Sequence, residues 1–418
     1  MTSRFPAEGA DRGERQRHRA EYVVLALTCA GLLLFFPAAA HPFHDPKRAL
    51  FALAALIATL ATGPRWNWAA LPLIVVCTLR PSVEWLAFAW SLVAFPALIS
   101  TPRRWINSLT WTATLVAVVV LLQAAGLDPF ARFAPDAAGT RLARYGTLGN
   151  PDFVASVLLP LAVLASQAAR WRLLIISAAL ALTGSLGVVL GVGAAGLAYL
   201  LHRRGHVRPT WVISVAVLLA LTPLLSRDVA TPLRGRAYLV SVALPQVKDG
   251  PLLGQGSGVV AGLWPEWELR HWEARCADAA CVQAHPDAKF TGLQDHVHAD
   301  WLEVLLERGV LGVLALLLVL GVAARRAWRD PDGALVFAAL AAAVSRTLID
   351  FPLERPADLW VLGVVASLAW GPDRAGESRP LTPALSPLSQ GEGDRRHGPH
   401  SPRHGVWQER QSVLNRWP

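Results

Sequence analysis

Apolar runs separated by short polar stretches recur along most of this chain. Five of them, near 22–40, 49–63, 66–80, 84–100 and 105–126, are continuous enough to read as membrane helices. Further runs lie at 153–169, 210–226, 333–349 and 357–370. Between Asp295 and Leu314 the apolar positions Trp301, Leu302, Leu305 and Leu306 recur at helical spacing and lead into the unbroken run Val310–Val322. Leu173–Leu201 reads as one long helix or as two short ones broken near Thr183-Gly184-Ser185. Two are expected, because a single helix would carry His202, Arg203, Arg204 and Arg208 to the outer side and reverse every later loop. Each half is then shorter than a ~30 Å hydrocarbon core, a mismatch that neighbouring helices must absorb.

The pattern predicts an all-α polytopic membrane protein of about 12 transmembrane helices, with one large outer loop between the ninth and tenth. Residues 1–21 form a basic leader expected to be disordered and cytoplasmic, 22–226 hold helices one to nine, 227–297 form the loop, and 298–370 hold helices ten to twelve. Residues 371–418, rich in Pro, Gly, Ser and Arg and without periodicity, are expected to be a disordered cytoplasmic tail.

Composition agrees. Hydrophobic residues make up 53% of the chain and mean hydropathy is +0.38, more apolar surface than one soluble core hides. The net charge of +9 comes mainly from arginines in short loops, as in loops facing anionic lipid, which excludes nucleic acid as a partner. Tyr22–Ala40 follows an Arg-rich leader and is long enough to remain as an anchor rather than a cleaved signal. Cys29 and Cys77 lie in apolar runs and read as packing residues. Cys276 and Cys281 lie in the outer loop and are expected to pair in an oxidising compartment.

Candidate chemistry gathers on the outer side. The stretch 127–152 carries Arg132, Arg141 and Arg144 against the positive-inside bias, and ends in Asn150-Pro151-Asp152, residues suited to starting a helix. The large loop opens with Arg236 at the start of an expected short helix, followed by Asp249-Gly250-Pro251 and by Gly254 and Gly256, whose backbone freedom permits a tight turn close to a ligand. Trp264, Trp267, His271 and Trp272 share one helical stripe, and Glu266 and Arg270 can pair on another. Tryptophan stacks on sugars and also sits at membrane interfaces, and the interfacial role is the expected one here. Asp295, His296, His298 and Asp300 stand at the mouth of a span, where ionisable residues mark function. Their spacing also leaves a zinc or manganese site open. Arg346 and Asp350, four residues apart near a span interior, read as a structural pair.

Three of these segments resemble signatures of the O-antigen ligase and polymerase superfamily. His298-Ala299-Asp300-Trp301-Leu302 followed by Glu307, Gly309 and Gly312 is similar to its His-containing segment, with Ala299 where Asn is more common. RYGTLGNP, with Arg144 and Asn150, is similar to Arg-x-Gly-x-x-x-Asn-Pro. Arg236, Pro251, Gly254 and Gly256 match Gly-Arg, an amphipathic helix, then Pro-x-x-Gly-x-Gly, with Val240 where Trp is common. Thr183–Gly187 resembles a Ser-Arg-Gly turn, with Leu186 in place of its Arg. The resemblance implies a glycosyltransferase in the bacterial inner membrane, its site facing the periplasm. It would pass a glycan from undecaprenyl-pyrophosphate to lipid A core, to another carrier-linked glycan or to a protein hydroxyl, without cofactor or metal.

It also implies roles for single residues. His298 would be the base, with Arg144 and Arg236 on the pyrophosphate, while Arg141, Asn150, Gly254, Gly256 and Asp300 would line the substrate site. Lipid A core, as used by an O-antigen ligase, is the expected acceptor. The rival from another class is a transporter or flippase of lipid-linked sugars, which would place charges along a midplane path between repeats; the chain shows no internal repeat.

Overall fold

Helices account for all the regular structure among the described residues of this computed structural model, which are 8–36, 42–62, 68–131, 143–167, 169–203, 230–348 and 352–370, with no strand among them. In chain order they are α1 (Glu8–Leu33), α2 (Asp45–Thr62), α3 (Leu71–Leu79), α4 (Val83–Leu98), α5 (Pro102–Ala124), α6 (Pro151–Ala165), α7 (Arg170–Thr183) and α8 (Leu186–His202). Then follow α9 (Ala230–Ala243), α10 (Val259–Glu273), α11 (Ala279–Ala284), α12 (Asp300–Arg329), α13 (Ala334–Arg346) and α14 (Pro356–Leu368). The expected span 210–226, Arg132, Arg141, Arg204, Arg208, Asp350 and the tail 371–418 lie outside the described residues.

Local chemistry sets the boundaries. Proline in the first turn of α3, α5, α6 and α14 forgoes only an N–H that has no helical partner there. Asn150 caps α6, its side-chain oxygen accepting from the Asp152 N–H at 2.8 Å. The run Leu173–Leu201 is broken at Gly184, in the left-handed region at φ 61°, which ends α7 before Ser185 leads into α8. The leader is not disordered from Glu8 onward: α1 runs unbroken from there. Its Glu21 is buried and accepts from the Ser100 N–H at 3.1 Å and the Trp105 indole at 3.0 Å, which ties the leader to the start of α5.

The helices α6 and α14 are buried almost all round, and α6 packs on α5, α7 and α13 while α14 packs on α4 and α13. Outer helices do the reverse. Leu53, Leu56 and Leu60 of α2, Leu115 and Leu122 of α5, and Val310, Leu311, Leu314, Leu317 and Leu318 of α12 are exposed, while Lys47, Glu303, Glu307, Arg308 and Arg346 are buried. Among the described residues two helices, α5 and α12, are long and apolar enough to cross a membrane by length and composition, and α4, α6, α8, α13 and α14 are shorter apolar helices.

Contacts sort the helix ends into two sets. At one end α8 and α12 finish together, the His202 Nε2 lying 3.2 Å from the carbonyls of Ala327 and Asp330, and Arg172 at the start of α7 meets Asn107 near the start of α5 at 2.7 Å. At the other end lie the starts of α6, α8, α12 and α14 and the finish of α13, and this is where the candidate residues are.

Candidate functional site

The segment between the outer loop and α12 is pinned on both sides of His298. Upstream, the His296 Nδ1 lies 2.7 Å from Glu303 Oε1, and the Val297 N–H donates to Glu303 Oε2 at 3.2 Å. Downstream, the Asp300 N–H donates to the Thr347 carbonyl at 3.1 Å, and Asp300 Oδ2 accepts from the Leu353 N–H at 3.0 Å. His298 sits between these anchors with φ 57°, the one non-glycine residue at positive φ among the described residues. That conformation is disfavoured for a residue with a Cβ and persists where the surroundings fix it. Asp300 is fully buried at the first turn of α12, and its carboxylate holds the connection to α14.

His296 is not a bystander. Burial first, and the charge of Arg355 next, push its imidazole down to about 4, so it is neutral near pH 7 and shares one hydrogen bond with Glu303 through Nδ1.

Cations reach the same end by separate routes. Arg144 donates from Nη1 to the carbonyl of Leu182 near the end of α7 at 2.7 Å. Three residues further on, the Ser185 hydroxyl accepts from Arg346 Nη1 at 2.7 Å, and Arg346 Nη2 reaches the Ser156 hydroxyl and the Asp152 carbonyl, each at 3.0 Å. The lack of a side chain at Gly187 makes room for this guanidinium, which a Cβ there would strike. Thr347 follows Arg346 directly, so Arg144, the α7–α8 turn, Arg346 and the His298 segment form one contiguous polar seam. Arg355 lies over the Phe153 ring at 4.0 Å and 3.2 Å from His44 Nε2, bringing the entry to α2 to this end as well. Lys47 is buried and donates to the carbonyls of Leu34 and Thr147, fixing the turn that follows Arg144.

Gly254 and Gly256 clasp the helix that carries the site. Gly309, at φ 66°, kinks α12, and the Leu252–Gly254 backbone lies against the kink so closely that a Cβ on Gly254 or on Gly309 would collide with the opposing main chain. The N–H groups of Gln255 and Gly256 donate to the carbonyls of Leu306 and Glu307 at 2.7 and 3.1 Å, and those of Val310 and Leu311 to Pro251 and Leu252 at 2.9 and 3.2 Å. The kink would otherwise leave these groups unbonded. Beneath it, carboxylate oxygens of Glu303, Glu307 and Glu354 lie within 4.8 Å of one another. Arg308 stands among them, 2.6 Å from Glu307 and 4.3 Å from the centre of the Trp85 ring, and the Trp85 indole donates to Glu354 at 3.3 Å. These three, rather than Asp295, His296, His298 and Asp300, are the acidic or histidine ligand atoms that converge among the described residues, and they already surround a guanidinium.

In the outer loop, Arg236 lies within α9 and not at its start, since the helix begins at Ala230. Its Nη1 is buried without a hydrogen-bond partner among the described residues. One turn on, Tyr238 and Leu239 pack with Val259, Trp264, Trp267, Trp272, Val297 and Leu306. The tryptophan stripe is therefore the core of the outer domain, corrected from the expected place at the membrane surface: Trp264 and Trp267 are each 1% exposed. Glu266 and Arg270 do pair on the other face. Tyr238 donates to Glu268, and burial together with that carboxylate raises its phenol above the ordinary value. The sulfurs of Cys276 and Cys281 are bonded, with their Cα atoms 5.4 Å apart.

Of the site residues expected from sequence, His298, Arg144, Asn150 and Asp300 thus lie at one end of the bundle, Arg236 belongs to the domain over it, and Gly254 and Gly256 shape the backbone. Arg355, His44, Lys47 and Glu303 were not among those residues. For the three bases the available signal was the one that singled out Arg144, basic groups on the side expected to be outer. No family model matches the chain, and no curated protein matches it either.

Proposed function

We propose that this protein is a polytopic glycosyltransferase of about 12 spans, lying in the bacterial inner membrane, that transfers a glycan from undecaprenyl-pyrophosphate to an acceptor hydroxyl at the periplasmic face. Lipid A core is the acceptor in this reading, as for an O-antigen ligase. A band of exposed leucines around buried charges supports the membrane setting, since soluble monomers rarely expose apolar surface on this scale. Exposed Trp111, Trp171 and Trp328 lie toward the end opposite the site, where Arg103, Arg104, Arg325, Arg326 and Arg329 also fall, as at a cytoplasmic interface.

The observation that carries the chemistry is His298 in a left-handed turn, fixed from both sides, at the end of the bundle where arginines gather. In the reaction, the acceptor oxygen attacks the anomeric carbon and gives its proton to His298. The bond from that carbon to the pyrophosphate oxygen breaks with inversion, and the electron pair leaves with the carrier. Arg144 and Arg236 hold the developing charge with forked contacts that stay protonated, so no metal or cofactor enters the scheme. Asp300, by holding the chain after His298, orients the base.

The test is incubation of the protein, reconstituted in liposomes, with carrier-linked glycan and three acceptors: lipid A core, a second carrier-linked glycan and a hydroxyl-bearing protein. Transfer to lipid A core that persists with chelator is expected. Absence of transfer to all three would remove the reading.

A further inference from the structure

The clasp on α12 has an outward side. Pro251 and Leu252 accept from Val310 and Leu311, and on the other flank Arg80, at the end of α3, donates from Nε to the Leu253 carbonyl at 3.2 Å and from Nη2 to that of Gly254 at 3.0 Å. The turn is thereby bolted between the end of α3 and the kink of α12. Its side chains point away from the domain core: Leu252 is 64% exposed, and Leu253 and Leu244 are exposed with it. They continue an apolar surface made by Val75 and Leu79 on α3 and by Val310, Leu311, Leu314, Leu317 and Leu318 on α12. Exposed Lys248 precedes the turn, at the polar border of this surface.

We infer that Leu244–Leu253 is a wedge of the outer domain seated among the acyl chains of the outer leaflet, with Lys248 at the level of the lipid phosphates. This rests on the membrane reading above. The depth follows from α12: Val310 to Trp328 spans about 27 Å at helical rise, close to the ~30 Å of a hydrocarbon core. With Trp328 at one interface, the turn bonded to Val310 and Leu311 lies at the other edge, where exposed leucines gain by leaving water and an ammonium gains by facing phosphate. The occupant is bulk lipid because the surface continues the side of α12 that faces away from the bundle, whereas the candidate site lies within the bundle end. Seated so, the domain that carries Arg236 is held at a fixed height over His298.

The experiment uses the full chain in liposomes with Cys29 and Cys77 replaced by alanine. Single cysteines at Leu252, at Leu253, at Leu314 on α12 and at Leu293, an 84% exposed position of the outer domain, carry an environment-sensitive fluorophore. Leu252→Cys and Leu253→Cys should show the blue-shifted emission of Leu314→Cys, quenching by lipids spin-labelled high on the acyl chain, and loss of quenching by aqueous iodide, with Leu293→Cys the reverse. If Leu314→Cys is quenched by the labelled lipids but both turn positions are quenched by iodide like Leu293→Cys, the wedge is overturned and the membrane span stands. If Leu314→Cys is itself quenched by iodide, the membrane reading fails and the wedge with it. Quenching at the turn that appears only when a polyprenyl carrier is added would reassign the surface to the donor tail and overturn the bulk-lipid claim.

Discussion

A residue earns a role in this protein through what its neighbours do to it. His296 and His298 are two positions apart and equal by spacing, but one is neutral and hydrogen-bonded to Glu303 while the other is turned into the left-handed region between two fixed points. The neutral one is His296, which the structure ties to Glu303 at 2.7 Å. Its folded value near 4 lies below the ordinary 6.5, so the unfolded chain takes up the proton first. The stability this contributes is present above about pH 6.5 and lost as pH falls toward 4, a change of roughly 3 kcal/mol at most. Thermal unfolding of the wild type should therefore shift downward across that window, and His296→Gln should lose most of the shift; an equal acid shift in both would place the sensitive group elsewhere. Arginine substitutions read differently. Arg236→Lys should cost at least tenfold in transfer with unfolding unchanged, because a point charge does not reproduce a forked phosphate contact; full activity in the lysine variant would make Arg236 a structural residue.

At the level of elements, much was legible and the reason is local. Proline in the first turn, Asn150 as a cap and Gly184 as a stop place helix boundaries without knowledge of the fold. The clasp was half legible. Gly254 and Gly309 were each visible within a motif, but that Gly254 makes room for the Glu307–Arg308 backbone and Gly309 for that of Leu252 and Leu253 depends on contacts between distant parts of the chain, which no local pattern contains. The tryptophan stripe shows the same limit. Its helical spacing was plain, yet spacing gives a face and not what covers it, and here Tyr238, Leu239 and Val297 cover it. The clasp predicts that Gly309→Ala, forced both by positive φ and by the Leu252 backbone, lowers stability by about 3 kcal/mol or more. Gly321→Ala, in open space on the same helix, should change little. The two unfolding curves measured side by side decide this, and equal stability would mean the kink is not held by the clasp.

For the whole molecule, the twelve-run pattern predicts a helical chain, and the described residues are helical, but among them length and composition together qualify only α5 and α12 as spans. Short helices such as α6 and α14 are surrounded by others, so burial, not length, accounts for their apolar sequences. The site is likewise assembled from distant parts. Arg144 joins Leu182, Arg346 joins Ser185, Asp300 joins Thr347, and each link joins parts of the chain that lie far apart in sequence. Arg355 and His44 escaped the sequence reading because a lone basic residue in a short connection looks like any solvated charge. The central claim is that this assembled end moves a glycan with His298 as base, and a comparison of three proteins tests it. Wild type, His298→Ala and His298→Gly are reconstituted with carrier-linked glycan and lipid A core, and transfer, donor binding and thermal stability are read together. The account predicts transfer lost by two orders of magnitude or more in both variants (~10²) with donor binding retained, and the glycine variant at least as stable as wild type because φ 57° no longer strains it. Transfer at the wild-type rate by a folded His298→Ala protein would contradict it.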